Sequence, residues 1–224
     1  MIHHAIAIDG PGGAGKSTIA KELAKQLSFI YIDTGAMYRT IGLFAARNRV
    51  SGKNIQGVIS LLPYITLEIR FIDGAQHMFL NGEDVSDKIR TEEASIYASD
   101  VSAIPAVRTF LLEQQRAFAK SSNVIMDGRD IGTVVLPDAD LKIFLTASSE
   151  ARARRRFLEQ KAKGLDVTYE EVLEALKLRD RQDSSREAAP LKAADDAVIV
   201  DTTEWDLETS IAMVRRLVKE RLDV

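Results

Sequence analysis

The chain has no cysteine, one tryptophan and only three histidines among 224 residues. Without cysteine there is no disulfide framework and no thiolate-ligated zinc site, and the absence fits a reducing compartment. His3, His4 and His77 match no catalytic or metal-ligand spacing and read as structural or solvated. Long hydrophobic runs are missing too: nothing approaches the ~18 residues of a membrane span. The opening "MIHHAIAIDG" lacks the basic start and cleavage signal of a secretory leader. A cytoplasmic protein is therefore expected. An excess of one charge is also absent. Charged residues make up 28% of the chain, yet the net charge is only −3, which gives no reason to expect a nucleic-acid surface. There are no internal repeats and no low-complexity tracts. What the chain does have is 46% hydrophobic residues, enough for a sizeable core in one α/β domain.

Short apolar runs alternate with amphipathic ones. Residues 3–9, "HHAIAID", read as a buried parallel strand ending at a glycine turn. Residues 16–28 read as a helix with Ile19, Leu23 and Leu27 on one face. "FIYID" is a second strand, and residues 34–48 a second helix for which Thr34 is the expected cap. From about residue 55 to 90 the grammar changes. "ITLEIRFIDGAQHMFLNGEDVS" alternates around Gly74 and Asn81-Gly82, as antiparallel hairpins do. A long helix at 107–122, strands at 123–128 and 141–147, helices at 150–164 and 168–185, a last strand at 196–203 and a closing helix complete the pattern. Five short strands joined by helices predict a parallel sheet covered on both faces. The expected division is a core (1–33, 102–150, 190–224), an inserted lobe (34–101) and a helical lid (151–189).

"GPGGAGKST", Gly10 to Thr18, fits G-x-x-x-x-G-K-[ST] between a strand and a helix. Glycines let backbone N–H groups close around phosphate oxygens, and the helix start adds its positive end. Lys16 supplies a mobile charge for β/γ-phosphates, and Ser17 a hydroxyl for Mg²⁺. The loop by itself does not separate ATPases, GTPases and kinases. No guanine-reading Asn-Lys-x-Asp and no Leu-Ser-Gly-Gly-Gln signature is present, which points toward a small-molecule kinase.

A kinase also needs an anion-holding second site, and arginine suits it because its planar fork meets phosphate bidentately. Arg39, in the first turns of the second helix, reads equally as a functional or a solvated arginine. In "MDGRDIGT", Asp127, Gly128, Arg129 and Asp130 end an apolar strand, where charged side chains face a ligand crevice. Asp127 is either a Mg²⁺-holding carboxylate or an acid bonded to the phosphate loop. Arg152, Arg155 and Arg156 share a helical face, as do Arg179, Asp183 and Arg186 if their helix persists that far. The two helices flank the turn "KAKGLDVT", as in a lid that carries charge onto a moving phosphoryl group.

"IAIDGPGGAGKST", "YIDTGAMYR", "DGRDIGTVV" and "SSREAAPL", in this order and with the hairpin-rich insertion, resemble the bacterial cytidylate kinases, a family of P-loop nucleoside monophosphate kinases. The resemblance implies ATP, Mg²⁺ and CMP or dCMP as small-molecule partners; a monomer is expected because no unmatched apolar helix demands a partner. It implies that Gly10, Pro11, Gly12, Gly13, Ala14, Gly15, Lys16, Ser17 and Thr18 bind ATP, joined by Arg156 among the lid arginines. Thr34, Arg108 and Asp130 would read cytosine. Ser99, Arg179 and Asp183 would contact the sugar, and Arg39, Arg129 and Arg186 would grip the acceptor phosphate and the moving group. Lys16, Arg129 and Arg186 are the catalytic candidates. Two rival readings remain at this point. One is a kinase for another monophosphate or a small metabolite such as shikimate. The other is a nucleotide switch that hydrolyses ATP slowly, which leaves the second arginine set unexplained.

Overall fold

The structure is a computed structural model that describes residues 3–222; the first two residues of the opening stretch lie outside it. In chain order the elements are β1 (Ala5–Asp9), α1 (Lys16–Leu27), β2 (Ile30–Asp33), α2 (Thr34–Arg47), α3 (Ile55–Leu61), β3 (Leu67–Ile72), β4 (Ala75–Leu80), β5 (Glu83–Asp84), α4 (Glu92–Ser102), α5 (Pro105–Ser121), β6 (Val124–Gly128), β7 (Leu141–Thr146), α6 (Ser149–Ala162), α7 (Tyr169–Ser184), β8 (Val198–Asp201) and α8 (Leu207–Leu222). The described residues form two compact units, one of residues 3–31 and 121–222, the other of residues 32–120.

The first unit is built on the expected five-stranded sheet, in the order β2-β6-β1-β7-β8. The central strand β1 pairs in parallel with β6 and β7, Ile6 facing Ile125 on one side and Leu141 on the other. Ile6, Ala7 and Ile8 are fully buried, because both sheet faces are covered and no polar alternation is needed. Helix α1 contributes Ile19, Ala20, Leu23 and Ala24 to this core, with Leu27 packed at its edge; α8 contributes Val214 and Val218. Helix α7 starts with a complete capping box, Thr168 and Glu171 each satisfying the other's backbone N–H. Residues 131–135 after β6 form a short π-helical segment that the sequence pattern does not announce.

The second unit holds the antiparallel sheet β3-β4-β5, turning at Gly74 and Gly82, both with positive φ, as the hairpin grammar requires. Met78 and Leu80 of β4 join Met37, Ile41, Val101 and Leu111 in its core. The cap of α2 is Asp33, whose side chain accepts from Ala36 N–H; Thr34 is the first helical residue instead of the cap. A carboxylate is as good a cap as a hydroxyl and lies one residue earlier, where the backbone is still extended. Helices α3 and α4 add to the pattern read from sequence, capped by Asn54 and Thr91. α4 crosses α2 at Gly42, where an added Cβ would lie 2.7 Å from Tyr97 Cβ and 3.2 Å from Ala98 N. Backbone cannot yield there as a side-chain tip can. Gly42→Ala is expected to destabilise the protein by about 1–3 kcal/mol. Thermal denaturation checks this; an unchanged midpoint would mean that α4 shifts freely.

Candidate active site

The phosphate loop leaves β1 through Gly10, whose φ is +148°, and continues through Gly13 and Gly15 at φ +77° and +88°. A Cβ at Gly10 would sit 1.9 Å from the Leu145 carbonyl oxygen, so no other residue fits. Gly15 takes the left-handed conformation at the start of α1 and leaves the first helical N–H groups without a side-chain cap. Donors of this kind at a helix N-terminus are suited to an anion.

Lys16 is buried, and its Nζ donates to the Pro11 carbonyl at 2.8 Å, which curls the ammonium back over the loop. Burial, and then the nearby Arg129 guanidinium, push its pKa down to about 7. Asp127 and Asp9 oppose this shift incompletely. Ser17 Oγ donates to Asp127 Oδ2 at 2.6 Å, and Tyr31 OH donates to Asp127 Oδ1 at 2.9 Å. Of the two roles open to Asp127 from sequence, the bond to the phosphate loop is therefore present. The hydroxyl and carboxylate also form an oxygen-donor pair of the sort that Mg²⁺ prefers.

Asp9 directly precedes the loop. Its two carboxylate oxygens accept from Ile131 N–H at 2.8 Å and Gly132 N–H at 2.7 Å. Burial lifts its pKa to about 6 against the pull of those two bonds. Asp9 thus joins the end of β1 to the turn that carries Arg129 and Asp130, a connection with no local sequence signal. Asp130 is itself buried and opens the π-helical segment.

Arg129 Nε donates to Asp183 Oδ2 at 2.9 Å, and Arg186 bonds Asp183 Oδ1. Asp183 is 1% exposed. Burial raises its pKa, but Arg129, Arg186 and Arg179 outweigh that and hold the carboxyl below the usual carboxylate range. Helix α7 ends at Ser184, so Arg186 reaches Asp183 across the exit turn rather than along a helical face. The arginines Arg129 and Arg179 also lie against the loop. A Cβ at Gly12 would be 3.6 Å from Arg129 Nη2 and 3.7 Å from Arg179 Cδ. Arg129 and Arg179 thus lie beside Gly12 of the phosphate loop, and Asp183 bonds both Arg129 and Arg186.

The arginines of α6 are engaged in different directions. Arg152 is buried and bonds the Ala147 carbonyl (2.8 Å), the Gly12 carbonyl (2.9 Å), Ser149 and Asp180 (2.6 Å). It joins α6 and α7 to the phosphate loop's backbone. Arg155 bonds Thr202 and Trp205 after β8. Arg156 is solvent-facing, 3.4 Å from Glu159.

The second unit carries its own cluster. Asp33 Oδ2 accepts from Arg39 Nη2 at 2.7 Å, while its Oδ1 caps α2. Thr34, next in the chain, is buried. Arg108 donates to the Ser102 carbonyl at 3.1 Å and lies 5.7 Å from the Tyr38 ring centroid; Ser102 Oγ donates to the Ser99 carbonyl. Ser99 and Arg108 are so linked through one turn between α4 and α5. Gln76 on β4 bonds both polar groups of the Asp33 backbone. No sequence motif singles it out, because a lone glutamine in a strand has no signature.

A parallel sheet whose first strand feeds a glycine loop, lysine and serine at a helix start defines the P-loop nucleotide-binding class. Residues 6–220 match the cytidylate kinase family model, and the chain belongs to that family. A cytidylate kinase from Caldicellulosiruptor bescii is 53% identical over 212 residues, 95% of this chain and 94% of that protein. One from Thermosipho melanesiensis is 49% identical over 217 residues, covering 96% and 97%. The crystal structure of an uncharacterized protein from Eubacterium ventriosum matches 98% of this chain and all of its own with a TM-score of 0.51, at 13% identity, a likeness of fold alone.

Proposed function

We propose that the protein phosphorylates CMP and dCMP with ATP, giving CDP and dCDP in pyrimidine nucleotide metabolism. The observation that carries this reading is the arginine–carboxylate cluster of Arg129, Asp183 and Arg186 beside Gly12 of the phosphate loop. A switch that only holds ATP has no use for it. In the reaction an oxygen of the CMP phosphate forms a bond to the γ-phosphorus of ATP. The bond from that phosphorus to the β–γ bridging oxygen breaks, and ADP leaves with its electron pair. The attacking oxygen is already anionic, so no general base is required; positioning and charge neutralisation carry the catalysis.

Gly10 to Thr18 would hold the ATP phosphates, with Lys16 on the β/γ-oxygens and Arg156 approaching the nucleotide. The Ser17 hydroxyl would hold Mg²⁺, which would supply charge neutralisation for the triphosphate. Thr34, Arg108 and Asp130 are assigned to the cytosine edge, Ser99, Arg179 and Asp183 to the sugar, and Arg39, Arg129 and Arg186 to the acceptor phosphate and transferring group. In functional terms residues 34–101 form the monophosphate lobe and 151–189 the lid. The protein acts as a cytoplasmic monomer; among the described residues no helix is long and apolar enough to cross a membrane. Label in the γ-phosphoryl group of ATP should appear in CDP, or in dCDP when dCMP is supplied. Label found only as inorganic phosphate would refute the reaction. Asp130→Ala should lower the preference for CMP over UMP about tenfold while changing the KM for ATP little, since each well-placed base contact is worth about 1–3 kcal/mol. An equal loss with every acceptor would remove Asp130 from base reading.

A further inference from the structure

Within the second unit, one side chain of the inserted sheet holds the start of α2. In β4 the register is fixed by pairing with β3, Phe71 opposite Gln76 and Ile69 opposite Met78. Gln76 shares a face with Met78 and Leu80, both buried in this unit's core. A glutamine on that face calls for an explanation, because its amide must find partners. The partners are the two polar groups of one backbone residue. Gln76 Oε1 accepts from Asp33 N–H at 2.7 Å, and Nε2 donates to the Asp33 carbonyl at 3.3 Å. Nε2 also lies 3.1 Å from Met78 Sδ. An amide that meets both the N–H and the C=O of one residue fixes that peptide segment in position and rotation, as a neighbouring strand would.

Asp33 passes the constraint on. Its Oδ2 takes the Arg39 guanidinium at 2.7 Å and its Oδ1 takes Ala36 N–H at 2.9 Å. Arg39 Nε is buried with no hydrogen-bond partner among the described residues, so the direction of this guanidinium depends the more on Asp33. We propose that Gln76 is a positioning residue: the inserted hairpin uses its amide to set Asp33 and, through Asp33, the arginine that receives the acceptor phosphate. The proposal rests on the assignment of Arg39 given above. It also gives the insertion a use, since β4 brings to residue 33 a strand-like partner that the helix start would otherwise lack.

Steady-state kinetics on the full chain test this. Gln76→Met keeps the unbranched shape and removes both bonds. It should raise the KM for CMP about tenfold and leave the KM for ATP within about twofold, because a misplaced binding group weakens only the ligand it meets. Gln76→Glu keeps the acceptor for Asp33 N–H and should raise it about threefold; if Gln76→Met does not fold, this variant decides. In an Arg39→Ala background, Gln76→Met should add less than about twofold, as expected of two residues on one route. A merely structural role would lower the melting temperature without separating the two KM values. A folded Gln76→Met variant with unchanged KM for CMP, while Arg39→Ala raises it, overturns the Gln76 proposal alone. Equal increases for CMP and ATP, or full additivity with Arg39→Ala, overturn it as well. An Arg39→Ala variant with unchanged KM for CMP overturns both the assignment of Arg39 and the route through it.

Discussion

Lys16→Met is expected to lower kcat with CMP by about 10³-fold, in line with the loss of one charge from a phosphoryl-transfer site. The fold should survive the change. The side chain is buried and its ammonium makes one 2.8 Å bond to the Pro11 carbonyl. Methionine fills similar space. The pKa supports the same expectation: burial and Arg129 bring Lys16 to about 7 from 10.5, so the folded state disfavours its charge. Below about pH 7 the native protein carries the full cost of that charge, and the cost fades as pH rises toward the unfolded value. The variant's melting temperature should accordingly equal or exceed that of the parent at neutral pH, with the gain vanishing in alkali. A triphosphate placed against Lys16 reverses the preference, so ATP binding above about pH 7 should take up a proton. Calorimetry in buffers of different ionisation enthalpy measures that uptake. Retained kcat in a folded Lys16→Met protein would contradict the role given to the loop.

Asp183→Asn should cost both stability and turnover. Asp183 is almost wholly buried and bonds Arg129 and Arg186 at once, with Arg179 nearby. Asparagine keeps the shape but not the charge, and leaves the guanidinium groups uncompensated. Removing one member of such a buried set typically costs about 3–5 kcal/mol. With Arg129 and Arg186 no longer aligned, kcat/KM for CMP should fall by about 10²–10³-fold. The sign with pH follows from the carboxyl being held low. Its stabilisation is complete above the unfolded value of 3.8 and is lost as pH falls through the lower folded value. The stability gap between parent and variant should therefore close in acid. A gap that persists unchanged at low pH would show that the asparagine harms packing rather than charge balance.

What could be read from the sequence was what depends on neighbours in the chain. Gly10 to Ser17 fall within eight positions, and both their glycine conformations and the strand-to-helix context appear as expected. Buried strands without alternation gave away the parallel sheet, and Gly74 and Asn81-Gly82 the hairpins. Less legible were choices between neighbours with similar propensity: Asp33 and Thr34 are both good caps, and only the backbone decides for Asp33. Helix α4 is capped by Thr91 and has Glu92 and Glu93 in its first turn, a start signal overshadowed by the strand pattern before it. Illegible were pairings across long separations. Arg129 finds Asp183 across 54 residues, and Asp9 finds Ile131 across 122. Helical spacing also says nothing about direction of use: Arg152 bonds the phosphate-loop backbone, whereas Arg155, three residues on, bonds the turn after β8.

The most direct test is a coupled ADP-release assay with Mg-ATP and, in parallel, CMP, dCMP, UMP, AMP or GMP. Strong turnover with CMP and dCMP, weak turnover with UMP and none without an acceptor is the predicted result. Slow ATP loss that no monophosphate accelerates would contradict the account at its centre.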